Sequence, residues 1–134
     1  MNKTTKDNLS AAMQSEAFTY AKYMLFAERA RKTGNPELAQ LLEKTAKQEL
    51  LEHFAEEAAL AEIVSSDFDN LEHAIASESY GIESMYRDFA EQAFSAGDKV
   101  VGDRFDQIRH DEMKHRDAFK EALSKLAKTP QRAW

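Results

Sequence analysis

Cysteine is absent from all 134 residues of the chain. Its absence excludes disulfides, thiolate nucleophiles, iron–sulfur clusters and zinc–thiolate sites within this sequence. Helix-interrupting residues are also scarce, since the chain has only two prolines and four glycines. Both prolines lie between or after long periodic segments, so the composition favours an all-helical fold.

Long apolar runs and an excess of positive charge are missing too. No segment approaches the roughly 18 apolar residues that a membrane span requires, and residues 1–10 lack the apolar centre of a signal peptide. The formal net charge of −6 disfavours nucleic acid as a partner and offers no basic stripe to a membrane surface. These features predict a cytoplasmic protein without nucleic-acid or membrane partners.

Apolar residues recur every three or four positions along most of the chain, which is the pattern of amphipathic helices. The pattern predicts one domain over residues 1–134, with helices at about 8–32, 36–63, 70–95 and 98–128. Turn signals separate the first two helices at Gly34-Asn35-Pro36 and the last two at Ala96-Gly97-Asp98. Residues 129–134 are predicted to form a frayed tail.

Acidic residues interrupt each apolar stripe where leucine would be expected. In the fourth segment Glu112 and His115 lie three residues apart, on one face of the predicted helix. Burying an ionised carboxylate without a partner costs several kcal/mol, so a cation or hydrogen-bond donors should compensate it. The other segments place Glu16, Glu49, Glu52 and Glu78 at such positions.

The two halves of the chain are related by an internal repeat. Glu16 and Glu78 are 62 residues apart, whereas Glu49 and Glu112 are 63 apart. Two related helical hairpins, each with one lone glutamate and one paired motif, predict a site with approximate two-fold symmetry. The symmetry breaks at Glu52, which stands where the second half has a histidine.

A mostly carboxylate set with imidazole indicates a pair of metal ions, with iron or manganese preferred over zinc. His53 lies four residues after Glu49 and could bind a metal in place of Glu52. Asp111 could hydrogen-bond an imidazole or a water across the site. A simpler interpretation is that a lone inward glutamate lies on a partly exposed flank of a metal-free structural bundle.

Two tyrosines follow the lone glutamates at matching positions. Tyr23 and Tyr86 are 63 residues apart and lie about two helical turns after those glutamates. They could donate a hydrogen bond to a bridging carboxylate or transfer an electron. They could also be ordinary core aromatics.

Four segments resemble the rubrerythrin branch of the ferritin-like proteins. The resemblance extends from about residue 8 to residue 126 and implies a ferritin-like four-helix bundle with two iron ions, for which manganese or zinc could substitute. It implies reduction of hydrogen peroxide or consumption of dioxygen, with Tyr23 and Tyr86 beside the metals. The segments are Gln14-Ser15-Glu16, Gln48-Glu49-x-x-Glu52-His53, Ser77-Glu78 through Met85-Tyr86, and Asp111-Glu112-x-x-His115.

The chain departs from the family pattern in three places. Without cysteine there is no iron-binding electron-transfer domain in this sequence, so an external protein should donate electrons. The first Glu-x-x-His motif is replaced by Glu49-x-x-Glu52, with His53 shifted by one position. The further glutamate that the family carries three residues after the one matching Glu78 is here Gly81, which puts peroxidase activity of the rubrerythrin grade in question.

The sequence therefore favours a di-iron peroxidase, with two alternatives left open. One is a ferroxidase that handles iron, as ferritins do, and the other is a di-iron oxygenase. In a ferritin-like bundle the second connection must recross about 27 Å at 1.5 Å per helical residue, whereas the predicted loop spans at most roughly 25 Å. This predicts a homodimer in which hairpins are exchanged between two chains.

Overall fold

The described part of the chain, residues 1–128, consists of helices joined by short turns in the computed structural model. Among these residues, no helix combines the length and hydropathy of a membrane span. The predicted tail at 129–134 lies outside the described residues. The helices are α1 (Lys3–Lys32), α2 (residues 36–60), α3 (residues 67–95) and α4 (Lys99–Lys128). The prediction of an all-α fold built from two related helical hairpins is confirmed.

The first hairpin, α1 with α2, lies in a compact unit that comprises Met1–Val64. Its buried centre is made of alanines, with Leu42 packed against them. Small side chains let the two helix backbones approach closely, which sets the facing polar groups of α1 and α2 within reach of one another. The buried alanines are Ala27, Ala30, Ala39 and Ala46.

The second hairpin, α3 with α4, lies in a second compact unit that begins at Ser65. Its interior combines Ile82 and Ala90 with an aromatic cluster of Tyr86, Phe89 and Phe105. The three rings lie with centroids 5.7–6.5 Å apart in tilted or edge-on geometries, which are the arrangements that aromatic pairs prefer. Packing in each hairpin therefore fixes which faces its two helices present to each other.

Helices α1 and α3 begin earlier than the apolar periodicity predicts, because polar residues cap them. The side chain of Asn2 accepts a hydrogen bond from the Thr5 amide at 2.9 Å, so α1 begins at Lys3 rather than near residue 8. The Ser66 hydroxyl accepts one from the Asp69 amide at 3.1 Å, so α3 begins at Asp67 rather than at residue 70. Helix α2 ends at residue 60, three residues short of the prediction, as the chain turns through Glu62 at φ 53°.

Two helices contain a π-helical segment, which the sequence analysis does not predict. The segments are Glu49–Phe54 in α2 and Gly81–Met85 in α3. A π segment corresponds to one extra residue in the helix, and such segments are frequent at functional sites. The repeat spacing carries this signal: it changes from 62 to 63 between the Glu16/Glu78 and Tyr23/Tyr86 pairs, across the segment in α3.

Candidate metal centre

The first hairpin brings Glu16 of α1 together with Glu49 and His53 of α2. One potential ligand atom from each residue lies within 4.8 Å of the other two. The Nδ1 atom of His53 is 2.8 Å from Oε2 of Glu49 and 3.8 Å from Oε2 of Glu16. The glutamate side chains are 20–25% exposed and the imidazole is 49% exposed. Two carboxylates and an imidazole at this spacing can hold a divalent cation.

The π segment of α2 explains why His53 faces the glutamates. In an ordinary α-helix, residues three and four apart share a face, whereas a π turn needs about one residue more. His53, four residues after Glu49, therefore lies beside it on the face toward α1. Glu52 is exposed and accepts a hydrogen bond from Nε2 of Gln48 at 3.1 Å. The structure thus places Glu52 outside the cluster, and its predicted role as a ligand stays a prediction.

The second hairpin brings together Glu78 of α3 with Glu112 and His115 of α4. The Nδ1 atom of His115 is 3.6 Å from Oε1 of Glu78. The Oε2 atom of Glu112 is shielded from solvent, and within the described residues no donor reaches it. A buried acceptor without a donor costs about 1–3 kcal/mol, which a bound cation would offset.

The two clusters match each other atom for atom. His53 lies 3.8 Å from Glu16, and His115 lies 3.6 Å from Glu78. The two histidines are 62 residues apart, although the glutamates that precede them are 63 apart. The extra residue in the π segment of α2 accounts for this difference. His53, rather than Glu52, is therefore the geometric counterpart of His115.

Hydrogen bonding perturbs the acidic groups of the first cluster in opposite directions. The hydrogen bond to Glu49, followed by burial and the neighbouring negative charge, raises the pKa of Glu16 above its ordinary value. The hydrogen bonds from Glu16 and His53 lower the pKa of Glu49. The hydrogen bond to Glu49 raises the pKa of His53. The metal-free cluster therefore holds a proton between two carboxylates, in the place where a cation would lie.

Burial dominates the electrostatics of the second cluster. It raises the pKa of Glu112, and the charge of Glu78 raises it further, while His115 opposes both effects. A carboxylate that is shielded from water and lacks donors is costly to ionise without a cation. The residues present in both clusters therefore fit divalent metal ions.

The other predicted site residues lie in defined surroundings. The ring of Tyr23 packs against Phe26 with centroids 6.2 Å apart, and Tyr86 belongs to the aromatic cluster of the second hairpin. Asp111 accepts a hydrogen bond from Nε2 of Gln107 at 3.2 Å and is 44% exposed. The catalytic roles of the tyrosines and the orienting role of Asp111 stay predictions.

Glu57 is a residue near the first cluster that the sequence analysis does not single out. Its charge contributes to the raised pKa of Glu16, and its Oε2 atom is shielded from solvent without a donor among the described residues. Glu57 lies four residues after His53, so the helical spacing could have indicated it.

Comparison with known proteins identifies the family. The family model described as Rubrerythrin matches residues 49–123, which is more than half of the chain. The chain belongs to the rubrerythrin family. The ferritin-like class predicted from the sequence is thereby confirmed, together with a di-iron function of the rubrerythrin type.

Two curated members of the rubrerythrin family resemble the chain over most of its length. Nigerythrin of Nitratidesulfovibrio vulgaris is 29% identical over 137 aligned positions, which cover 92% of this chain and 67% of that protein. Rubrerythrin of Porphyromonas gingivalis is 32% identical over 133 positions, which cover 86% of this chain and 66% of that protein. The chain thus aligns with about two thirds of the length of each relative.

A solved structure of nigerythrin in its fully reduced, all-ferrous state also matches the chain. The two share 28% sequence identity, with a TM-score of 0.48, and the match covers 98% of this chain and 71% of the nigerythrin chain.

Proposed function

We propose that the chain binds a carboxylate-bridged pair of iron ions and reduces hydrogen peroxide. The observation that carries the proposal is the matched geometry of the two clusters, each with two glutamates and one histidine. Family membership supports iron as the native metal. The ligands proposed are Glu16, Glu49 and His53 of the first hairpin and Glu78, Glu112 and His115 of the second.

The charges of this ligand set suit two ferrous ions. Four carboxylates carry four negative charges, which equals the positive charge of two divalent cations. With Glu52 in place of His53 the set would carry one more negative charge. The side chains prepare the site: Glu16 gives up its proton when a cation approaches, and Glu112 gains the partner that it lacks.

The reaction requires electrons that the side chains do not supply. A bound iron pair stores two electrons, which, with two protons, convert one hydrogen peroxide into two waters. An external electron-donor protein would then restore the ferrous state, since the sequence contains no cysteine to hold a further iron centre. Tyr23 and Tyr86 are proposed to lie beside this chemistry as hydrogen-bond donors or electron carriers.

Oxidation of ferrous iron by dioxygen is the second candidate, and the same absence of cysteine favours it. A ferroxidase needs no donor protein, because the substrate iron itself supplies the electrons. An oxygenase would in addition need a substrate pocket beside the metals. Peroxide consumption that depends on a donor protein favours the first function, whereas turnover of ferrous iron beyond two ions per chain favours the second.

Rapid mixing of the anaerobically iron-loaded protein with peroxide or dioxygen tests the proposal. We expect the ferrous protein to be oxidised faster by peroxide than by dioxygen, with no turnover of added ferrous iron. Protein loaded with zinc, which has no redox chemistry, is the control and should not consume peroxide. Faster oxidation by dioxygen would contradict the peroxidase proposal.

A second copy of the chain is the proposed structural partner. Large apolar side chains remain exposed on both hairpins, with Phe18 66%, Leu51 67% and Val101 48% exposed. Exposed apolar surface of this kind is typical of surfaces that associate. Sedimentation velocity should therefore show a dimer, and a monodisperse monomer would contradict the proposal.

A further inference from the structure

Gly81 lies directly against the carboxylate of Glu112. A Cβ atom placed on Gly81 would lie 2.1 Å from Oε2 of Glu112 and 3.0 Å from its carboxylate carbon. Gly81 is buried and is the first residue of the π segment in α3. Any side chain at this position would therefore occupy the space that the Glu112 carboxylate now fills.

Helix α4, which carries Glu112, also holds the π segment in place. The Nε atom of Arg109 donates a hydrogen bond of 2.7 Å to the backbone carbonyl of Ile82. Nη1 of Arg116 lies 3.4 Å from Oε1 of Glu83. Arg109 precedes Glu112 by three residues and Arg116 follows it by four, so both arginines lie near the same level of the helix.

We propose that Gly81 and Arg109 are positioning residues for the metal ligand Glu112. The missing side chain of Gly81 provides the notch in which the carboxylate lies, and Arg109 keeps the notch facing α4. Position 81 thus decides whether a ligand can come from α4 at this place, because a carboxylate on residue 81 would compete with Glu112 for the same space. This inference rests on the proposed metal site.

Gly81→Ala tests the notch without threatening the fold. The added methyl group meets only the flexible end of the Glu112 side chain, which can move aside, and alanine is the better helix former. We expect the metal-free variant to melt no lower than the wild type. Its affinity for the second of two Co²⁺ ions, measured by optical titration, should fall about tenfold or more. A residue with a merely structural role would not weaken metal binding while preserving stability.

Gly102→Ala is the matched control in the same hairpin. A Cβ atom there would lie 2.6 Å from the ring of Phe94, so this variant should change the melting temperature and leave Co²⁺ affinity unchanged. Arg109→Ala tests the second half of the proposal, because it removes the donor to Ile82 without adding volume. It should also weaken the second Co²⁺ ion, whereas Arg104→Ala, an exposed arginine on the same helix, should not.

The outcomes separate this inference from the proposed function. Wild-type protein that binds no stoichiometric Co²⁺ would overturn the metal site itself. Wild-type protein that binds two ions, with Gly81→Ala binding both at wild-type affinity, would overturn the positioning role alone. If Gly81→Ala failed to fold by circular dichroism, the comparison of Arg109→Ala with Arg104→Ala would decide: equal affinities would overturn the proposal.

Discussion

The Nδ1 atom of His53 lies 2.8 Å from the Oε2 atom of Glu49, four residues earlier in the π segment of α2. This contact gives the first hairpin the same glutamate and histidine arrangement that the second hairpin builds from residues three apart. A one-residue shift in the sequence is therefore compensated by a one-residue insertion in the helix. The two halves of the chain differ more in sequence than in the chemistry of their ligands.

His53→Gln should weaken metal binding, whereas Glu52→Gln should not. His53 faces the two glutamates of its cluster, while Glu52 is exposed and bonded to Gln48. Loss of an imidazole contact to the metal is expected to lower affinity by about 10–100-fold or more. Isothermal titration with ferrous iron under anaerobic conditions measures both variants side by side. The reverse order of effects would show that Glu52 is the ligand.

Glu112→Gln should stabilise the metal-free protein and impair its metal binding. The substitution removes a negative charge that is shielded from water and lies near Glu78. At pH 7 we expect a higher melting temperature without metal and a smaller increase on adding ferrous iron. Glu121→Gln, an exposed position on the same helix, is the control and should change neither value. A lower melting temperature of metal-free Glu112→Gln would contradict the electrostatic argument.

Asp69→Asn should destabilise the protein at neutral pH and not in acid. Hydrogen bonds from the hydroxyls of Ser66 and Ser65, at 2.7 and 2.9 Å, hold the pKa of Asp69 below its ordinary value of 3.8. A lowered folded-state pKa means that ionised Asp69 contributes stability above pH 3.8, which is lost as the pH falls through the folded-state pKa. Urea unfolding of the wild type and the variant at several pH values measures the difference.

Asp67→Asn serves as the control for the helix terminus. Asp67 also lies in the first turn of α3 but does not share the serine hydrogen bonds of Asp69. It should show only the weaker effect of a charge near the helix N-terminus. A pH-independent difference between Asp69→Asn and the wild type would contradict the prediction.

Glu62→Gly should stabilise the turn after α2. Glu62 has φ 53°, whereas the corresponding turns after α1 and α3 use glycines at positive φ. The left-handed conformation costs a non-glycine residue about 1–2 kcal/mol, and glycine loses about 0.5–1 kcal/mol through entropy. We expect a net gain of up to about 1 kcal/mol in the free energy of unfolding. Glu62→Ala, which keeps a Cβ atom, should show no such gain.

The sequence predicts the helices and their pairing because apolar spacing and turn residues act locally. Gly34 and Gly97 mark turns that the structure confirms, with φ of 78° and 84°. The start of α1 is missed because the cap residue Asn2 precedes any apolar periodicity. Capping depends on one hydrogen bond, which a hydrophobic pattern does not record.

The ligand positions could be predicted more fully than their geometry. Inward glutamates are visible as acidic residues in apolar stripes, which identifies Glu16, Glu49, Glu78 and Glu112. The choice between Glu52 and His53 depends on the π segment, and an α-helical register favours Glu52. The notch at Gly81 depends on the distance between two helices, so spacing along one helix cannot reveal it.

The number of ferrous ions bound per chain tests the central claim most directly. Anaerobic titration of the metal-free protein with ferrous iron should saturate at two ions per chain, as two ligand sets with four carboxylates require. Glu16→Gln and Glu78→Gln, one in each hairpin, should both reduce this number or the affinity of the sites. Saturation without stoichiometric binding, or binding that neither variant affects, would contradict the di-iron assignment of these residues.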